Sequence, residues 1–172
     1  MPAHIETFIS EEKIQQRIAE LAASISADYA GKTLVLVGVL KGSFMFMADL
    51  ARRLTIPVRI DFIGVKSYEG TTTTGQVQLT KDLDRPVEDE HVLIVEDIID
   101  TGLTLSYLKS LFEQRSPASL KVAAFLDKPS RRRIQVEGDY IGFTIEDKFV
   151  IGYGLDFEQR YRNLKDVCIM VG

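Results

Sequence analysis

Residues 92–105 read VLIVEDIIDTGLTL, and this stretch decides the fold class. The apolar run His91–Val95 ends in two adjacent carboxylates, Glu96 and Asp97. Continuous β-branched and aliphatic runs are typical of strands that are buried on both faces of a parallel sheet. A helix is predicted from Thr104, because apolar residues then recur at spacings of three and four. A strand that leads directly into a helix indicates an α/β fold.

The rest of the chain repeats this alternation. Further strands are predicted at Thr33–Leu40, Val58–Phe62, Leu120–Leu126, Tyr140–Phe143, Phe149–Gly152 and Val167–Val171, and helices after Ser10 and from Phe44. No internal repeat or composition break divides the sequence. We therefore expect a single α/β domain over residues 1–172, with a mostly parallel twisted sheet flanked by helices.

The composition excludes several classes of protein. The chain has 172 residues, a net charge of −4, 45% hydrophobic residues, one cysteine and two histidines. No apolar run approaches the roughly 20 residues that a membrane helix needs. The residues available cannot form an internal disulfide and argue against a Cys/His zinc site. The acidic balance argues against nucleic acid as the main partner. We expect a cytoplasmic protein without a signal peptide.

The turn between the strand and the helix has the residues of a site for a phosphorylated sugar. A helix N-terminus presents free amide groups and a positive dipole, and both favour an anion. Gly102 allows close backbone approach, while Thr101 and Thr104 add hydroxyl donors. The carboxylates of Glu96 and Asp97 accept hydrogen bonds from a diol, or hold a hard cation through water. A ribose phosphate carries both a diol and a phosphate.

The motif EDIIDTGLT at residues 96–104 resembles the phosphoribosyl-pyrophosphate (PRPP) signature of the type I phosphoribosyltransferases. The resemblance is to the 6-oxopurine members of that family, the hypoxanthine-guanine phosphoribosyltransferases. It extends to LKGS at 40–43, KSY at 66–68, LDKPSRR at 126–132 and DKFVIGYGLD at 147–156. It implies the family's fold, with a mobile loop at about 67–82 and a base-binding hood at about 128–172 that the N-terminus completes.

The resemblance also implies residue roles for PRPP. Asp100 is the expected general base or acid near N7 of the purine. The residues expected to bind PRPP or nucleotide are Lys41, Gly42, Glu96, Asp97, Ile98, Ile99, Asp100, Thr101, Gly102, Leu103, Thr104 and Arg162. Leu103 stands where some relatives carry lysine, which we expect to change affinity without abolishing phosphate binding.

A second group of roles concerns the purine, the cofactor and the lid. Lys128 is expected to reach the purine 6-oxo group and Phe149 to stack on the ring. The full purine-binding set is Lys128, Lys148, Phe149, Val150 and Asp156. Mg²⁺ is the implied cofactor, with Glu96, Asp97 and Asp156 as ligands. Ser67 and Tyr68 belong to the implied lid.

The implied reaction is purine salvage, in which PRPP and hypoxanthine or guanine give IMP or GMP and pyrophosphate. A homodimer or homotetramer is implied as well. The alternative is an RNA-binding regulator with the same fold. Such regulators tend to have a different residue at the position of Asp100 and a basic face. Because this chain has Asp100 and a net charge of −4, we rank this alternative lower. Arg131, Arg132 and Arg133 are interpreted as surface or subunit contacts.

Overall fold

A computed structural model describes residues 4–68, without the side chain of Tyr68, and residues 76–172. The elements are β1 His4–Ile9, α1 Glu11–Asp28, β2 Leu34–Leu40, α2 Phe44–Arg53, β3 Val58–Tyr68, β4 Gln76–Lys81, β5 His91–Ile99, α3 Leu103–Glu113, β6 Ser119–Asp127, a 3₁₀ helix Pro129–Arg131, β7 Tyr140–Thr144, β8 Val150–Ile151 and β9 Val167–Val171. In the described part of the chain, no helix combines the length and the apolar character needed to cross a membrane.

The main sheet has six strands in the order β4-β3-β2-β5-β6-β7. Strand β2 pairs in parallel with both β3 and β5, and β6 pairs in parallel with both β5 and β7. Only the edge strand β4 is antiparallel, forming a hairpin with β3. The predicted α/β fold with a mostly parallel sheet is confirmed.

Both faces of the sheet are covered, which explains the uninterrupted apolar runs. On one face, Leu36 and Leu93 pack with buried residues of α1 and α2. On the other, Val37 and Ile94 pack with buried residues of α3. Because alternate residues of a strand point to opposite faces, each central strand must be apolar throughout.

A second sheet contains a strand that the sequence pattern did not reveal. Its three antiparallel strands have the order β1-β9-β8, and His4 at the start of the chain pairs with Val171 at its end. Most of β1 is exposed, so its sequence lacks the alternating apolar pattern that marks a half-buried strand. Strand β9 lies in the middle of this sheet and pairs with both β1 and β8, and β8 follows Phe149.

Strand β5 is longer than expected and extends beyond Val95 to Ile99. Glu96 pairs with Ala124 of β6, and Ile98 pairs with Leu126, so the acidic residues belong to the strand. Strands β2, β5 and β6 are parallel and therefore end at the same edge of the sheet. In open α/β sheets, this carboxyl edge is where ligands bind.

Candidate active site

A cavity of 430 Å³ lies at the carboxyl edge of β2 and β5. It brings together residues that are far apart in sequence. Of the predicted site residues, its lining includes Lys41, Gly42, Ser67, Glu96, Asp97, Ile98, Ile99, Asp100, Thr101, Gly102, Thr104, Asp156 and Arg162. Leu103 begins α3 and does not line the cavity, and neither do Lys128, Lys148, Phe149 and Val150.

The acidic pair, Glu96 and Asp97, concentrates negative charge in one wall of the cavity. Glu96 is 5% exposed, and its Oε1 accepts a hydrogen bond of 3.1 Å from the Asp97 amide. Burial raises the pKa of Glu96 well above its usual value, and the neighbouring Asp97 charge acts in the same direction. Burial also raises the pKa of Asp97, against the opposing effects of hydrogen bonds and of Arg162. Ligand hydroxyl donors or a cation would compensate this concentrated negative charge.

The turn after β5 is shaped as an anion site. Gly102 has a φ of 89°, which is accessible to glycine at little cost and strained for other residues. The first helical hydrogen bond of α3 runs from the Ser106 amide to the Gly102 carbonyl at 2.9 Å. The Leu103 amide donates instead to Thr101 Oγ1 at 3.4 Å. The amides of Gly102 and Thr104 precede the helical bonds, as expected for a phosphate-binding helix N-terminus.

The loop after β6 holds this turn in place from behind. The amides of Arg133 and Ile134 donate to the Thr101 carbonyl at 2.8 and 3.2 Å. The Arg132 guanidinium donates to the carbonyls of Ile99 and Asp100 at 3.3 and 3.1 Å. These hydrogen bonds fix the backbone of the turn that is predicted to bind the phosphate.

Arg132 is anchored by a buried ion pair. Its Nη2 lies 2.6 Å from Asp127 Oδ1, and the side chains are 12% and 8% exposed. Its Nε donates to the Val136 carbonyl at 2.9 Å. The interpretation of Arg132 as a surface or subunit contact was therefore wrong. Its guanidinium makes its hydrogen bonds within the chain, including those to the turn after β5.

Arg131 also departs from that interpretation. Its Nε donates to Asp100 Oδ1 at 2.8 Å, and its Nη1 lies 3.6 Å from Asp147 Oδ2. The side chain of Arg131 is exposed, as expected, but it contacts Asp100, the predicted general base, directly. Arg133 is exposed, as expected.

Two cationic side chains, Lys41 and Arg162, line the same cavity as the acidic pair. The Nε of Arg162 is buried and has no hydrogen-bond acceptor among residues 4–68 and 76–172. Its Nη1 donates to the Gly154 carbonyl at 2.8 Å, and its Nη2 donates to Gln159 Oε1 at 3.0 Å. Lys41 Nζ reaches the same Gln159 oxygen at 3.4 Å. The Leu40–Lys41 peptide bond is cis.

Of the predicted purine residues, Asp156 lines the cavity and the other four do not. Lys128 is 7% exposed, and its Nζ lies 3.8 Å from Asp147 Oδ1. Phe149 is 57% exposed and meets Phe157 edge-to-face with the ring centroids 5.8 Å apart. A large apolar ring that remains exposed is available for stacking on a planar ligand.

The three predicted metal ligands share the cavity but do not form a compact metal centre. In the part of the chain that the structure describes, no three Asp, Glu, His or Cys side chains are grouped as metal ligands. Asp156 Oδ2 accepts from the Gln159 amide at 2.9 Å, and its Oδ1 lies 3.4 Å from Arg162. Mg²⁺ usually binds one or two carboxylates together with substrate phosphates and water. The residues fit that mode of binding.

The predicted lid is described only at its base. Ser67 lies in β3, pairs with Val77 of β4 and lines the cavity. Tyr68 ends β3. The tip of the predicted mobile loop, residues 69–75, lies outside the described residues, and residues 76–81 form β4.

Comparison with known proteins decides the family. Residues 5–158 match the sequence model of the family described as the phosphoribosyl transferase domain. This chain belongs to the phosphoribosyltransferase family. The hypoxanthine phosphoribosyltransferase of Haemophilus influenzae is 51% identical over 94% of this chain and 92% of that protein. The hypoxanthine-guanine phosphoribosyltransferase of Bacillus subtilis is 45% identical over 96% of this chain and 92% of that protein.

A solved phosphoribosyltransferase has the same fold. The crystal structure of a hypoxanthine-guanine phosphoribosyltransferase from Bacillus anthracis superimposes with a TM-score of 0.92 and 45% sequence identity. The match covers 98% of this chain and all of that one. The predicted phosphoribosyltransferase fold is confirmed over nearly the whole chain.

Proposed function

We propose that this phosphoribosyltransferase transfers the phosphoribosyl group of PRPP to hypoxanthine, and to guanine, with release of pyrophosphate. The observation that carries the proposal is the cavity. It is lined by buried Glu96 and partly buried Asp97, by residues of the turn after β5 and by the cation Arg162, around one space of 430 Å³. These three groups complement a diol, a monoester phosphate and a diphosphate, which are the three polar parts of PRPP.

Each part of PRPP has a place in this arrangement. Glu96 and Asp97 accept hydrogen bonds from the two ribose hydroxyls, which relieves the repulsion between the carboxylates. The 5′-phosphate binds the amides of the turn, with the hydroxyls of Thr101 and Thr104 as additional donors. The pyrophosphate lies toward Lys41 and Arg162, whose positive charges stabilise the negative charge that develops as it leaves.

The purine site extends outward from Asp100. Lys128 donates to the 6-oxo group, Phe149 stacks on the ring, and Lys148, Val150 and Asp156 border the ring edge. During transfer, N9 of the purine forms a bond to C1′ as the bond from C1′ to the pyrophosphate oxygen breaks. Asp100 accepts the proton from N7, so that the product base is neutral. General-base assistance of this kind contributes roughly 10²–10⁴ in rate.

We propose Mg²⁺ as the cofactor, held by Asp156 and the acidic pair together with oxygens of PRPP. When bound, Mg²⁺ neutralises and orients the diphosphate. Ser67 and Tyr68 are proposed to belong to a lid that excludes water from the ribosyl cation, since water would otherwise compete with the purine. As the resemblance implies, we further propose a homodimer or homotetramer that works in the cytoplasm.

The test is a transfer assay with purified protein, PRPP and a panel of bases, with and without Mg²⁺. Hypoxanthine and guanine are expected to react in the presence of Mg²⁺. Adenine and uracil should react far more slowly, because neither presents the same oxygen and ring nitrogens to Lys128 and Asp100. The rate with xanthine shows whether the site accepts a second oxo group at the other edge of the ring. Absence of transfer to every 6-oxopurine would overturn the proposal.

A further inference from the structure

Alternating charges connect Asp100 with Lys128 along the outer side of the site. Asp100 Oδ1 accepts a hydrogen bond of 2.8 Å from Arg131 Nε. Arg131 Nη1 lies 3.6 Å from Asp147 Oδ2, and Asp147 Oδ1 lies 3.8 Å from Lys128 Nζ. The two ends of this series are the residues assigned to proton acceptance and to the purine oxygen.

The geometry leaves one oxygen of Asp100 for chemistry. Among residues 4–68 and 76–172, the Asp100 side chain has a hydrogen bond only at Oδ1, from Arg131. A guanidinium donates from several nitrogens in one plane, so Arg131 is able to hold Asp100 through Nε and Asp147 through Nη1 at the same time. The carboxylate is thereby fixed by one oxygen while Oδ2 remains available to accept a proton.

We propose, on the basis of the transfer reaction above, that Arg131 is a positioning residue that orients Asp100 for proton acceptance, and that Asp147 holds Arg131 in place. Arg131 touches neither PRPP nor the reacting atoms in this assignment. Asp147 has a second role, because it also contacts Lys128. Loss of Asp147 therefore affects both proton acceptance and binding of the purine oxygen, whereas loss of Arg131 affects proton acceptance alone.

Because these groups are exposed, the effect of Arg131 on the reaction can be measured separately from its effect on folding stability. The side chains of Arg131, Asp100 and Asp147 are 43%, 40% and 54% exposed. Exposed ion pairs contribute little to folding because solvent screens them. Removing Arg131 is therefore expected to leave the melting temperature within about 3 °C of the wild-type value. Any larger effect on turnover then has to come from the site.

A double-mutant cycle tests the proposal. Arg131→Gln, Asp100→Asn and the double variant are compared with wild type in single-turnover transfer to hypoxanthine, with saturating Mg²⁺ and PRPP. Arg133→Gln removes the same charge from the same loop and serves as the matched control. We expect Arg131→Gln to lower the rate by about ten- to a hundredfold with KM for PRPP unchanged. Arg133→Gln should remain at the wild-type rate.

The cycle also shows through which residue Arg131 acts. In the Asp100→Asn background, Arg131→Gln should have no further effect. Asp147→Asn should both lower the rate and raise KM for hypoxanthine. A wild-type rate for Arg131→Gln, or equal losses in both backgrounds, would overturn this inference while the transfer reaction stands. Absence of transfer by the wild-type protein would overturn the proposed function and this inference together.

Discussion

Gly42 packs so closely against Asp97 that a Cβ atom at position 42 would overlap the Asp97 carboxylate. Gly42 follows β2 and Asp97 lies in β5, and these two strands are neighbours in the sheet. The contact therefore joins the wall proposed for the pyrophosphate to the wall proposed for the ribose. Only glycine fits at position 42 without moving the acidic pair.

Substitution of Gly42 by alanine is expected to displace Asp97 and weaken PRPP binding. Since displacements of about 1 Å in an active site cost up to roughly 10²-fold, kcat/KM for PRPP should fall by about that factor. Gly31→Ala is the control, because Gly31 has a φ of 78° but no atom within 4 Å of the added Cβ. It should lose about 1–2 kcal/mol of stability without loss of activity. An active Gly42→Ala variant would show that Asp97 tolerates displacement.

The replacement of Asp100 by asparagine isolates proton acceptance. The amide keeps the shape of the carboxylate but does not accept a proton at neutral pH. We expect kcat to fall by about 10²–10⁴-fold, with the Kd for PRPP changed by less than about threefold. Rapid-quench kinetics and calorimetric binding measure the two quantities. Unchanged turnover would remove Asp100 from the mechanism.

Arg132 is expected to support both the fold and the phosphate turn. Removing one member of a buried ion pair leaves the other charge unpaired, at a cost of about 3–5 kcal/mol. Arg132→Gln should therefore lower the free energy of unfolding by about that amount and weaken PRPP binding. Adding Asp127→Asn should recover part of the stability, because the unpaired charge is gone, but not the binding. Urea denaturation and calorimetry distinguish these effects; a fully stable Arg132→Gln variant contradicts the assignment.

Away from the site, the ion pair of Arg115 and Asp82 is expected to make a pH-dependent contribution to folding stability. Arg115 donates two hydrogen bonds of 2.6 and 2.8 Å to Asp82 and holds the pKa of Asp82 below its usual value. With a lowered pKa in the folded state, the pair stabilises above the unfolded-state pKa of about 3.9, and this stabilisation is lost as the pH falls through the lower folded-state pKa.

Arg115→Gln therefore lowers the free energy of unfolding at neutral pH. The loss is expected to be below about 1 kcal/mol, because the pair is partly exposed and screened by solvent. Its difference from wild type should shrink as Asp82 becomes protonated. Urea denaturation at several pH values measures this difference. If it stays constant from neutral pH to the acid range, the ion pair is not its cause.

Local pattern was sufficient to predict the central sheet and the strand–turn–helix unit at Asp100–Thr104. The strand and helix around Glu96–Thr104 are encoded by one contiguous run whose apolar spacing changes from strand to helix. The family resemblance added Lys41 and Arg162, which line the same cavity although they are 121 positions apart. Strand β1 was missed because its pairing partner lies at the other end of the chain and most of β1 is exposed.

The supporting residues were harder to find from sequence. Arg131 and Arg132 occur in a run of three arginines that is indistinguishable, by composition, from a solvated surface loop. The available signal was position: the loop follows β6, whose end lies at the same edge as the end of β5. Gln159 carried no comparable signal, since its bonds to Lys41 and Arg162 depend on the path of residues 156–162.

The most direct test of the central claim compares the affinity for IMP with that for inosine, which lacks only the 5′-phosphate. If the turn at Asp100–Thr104 holds that phosphate, IMP should bind at least about 100-fold more tightly, because each hydrogen bond to a charged group contributes about 1.5–3 kcal/mol. Isothermal titration calorimetry gives both values. Equal affinities for the nucleotide and the nucleoside would contradict the account.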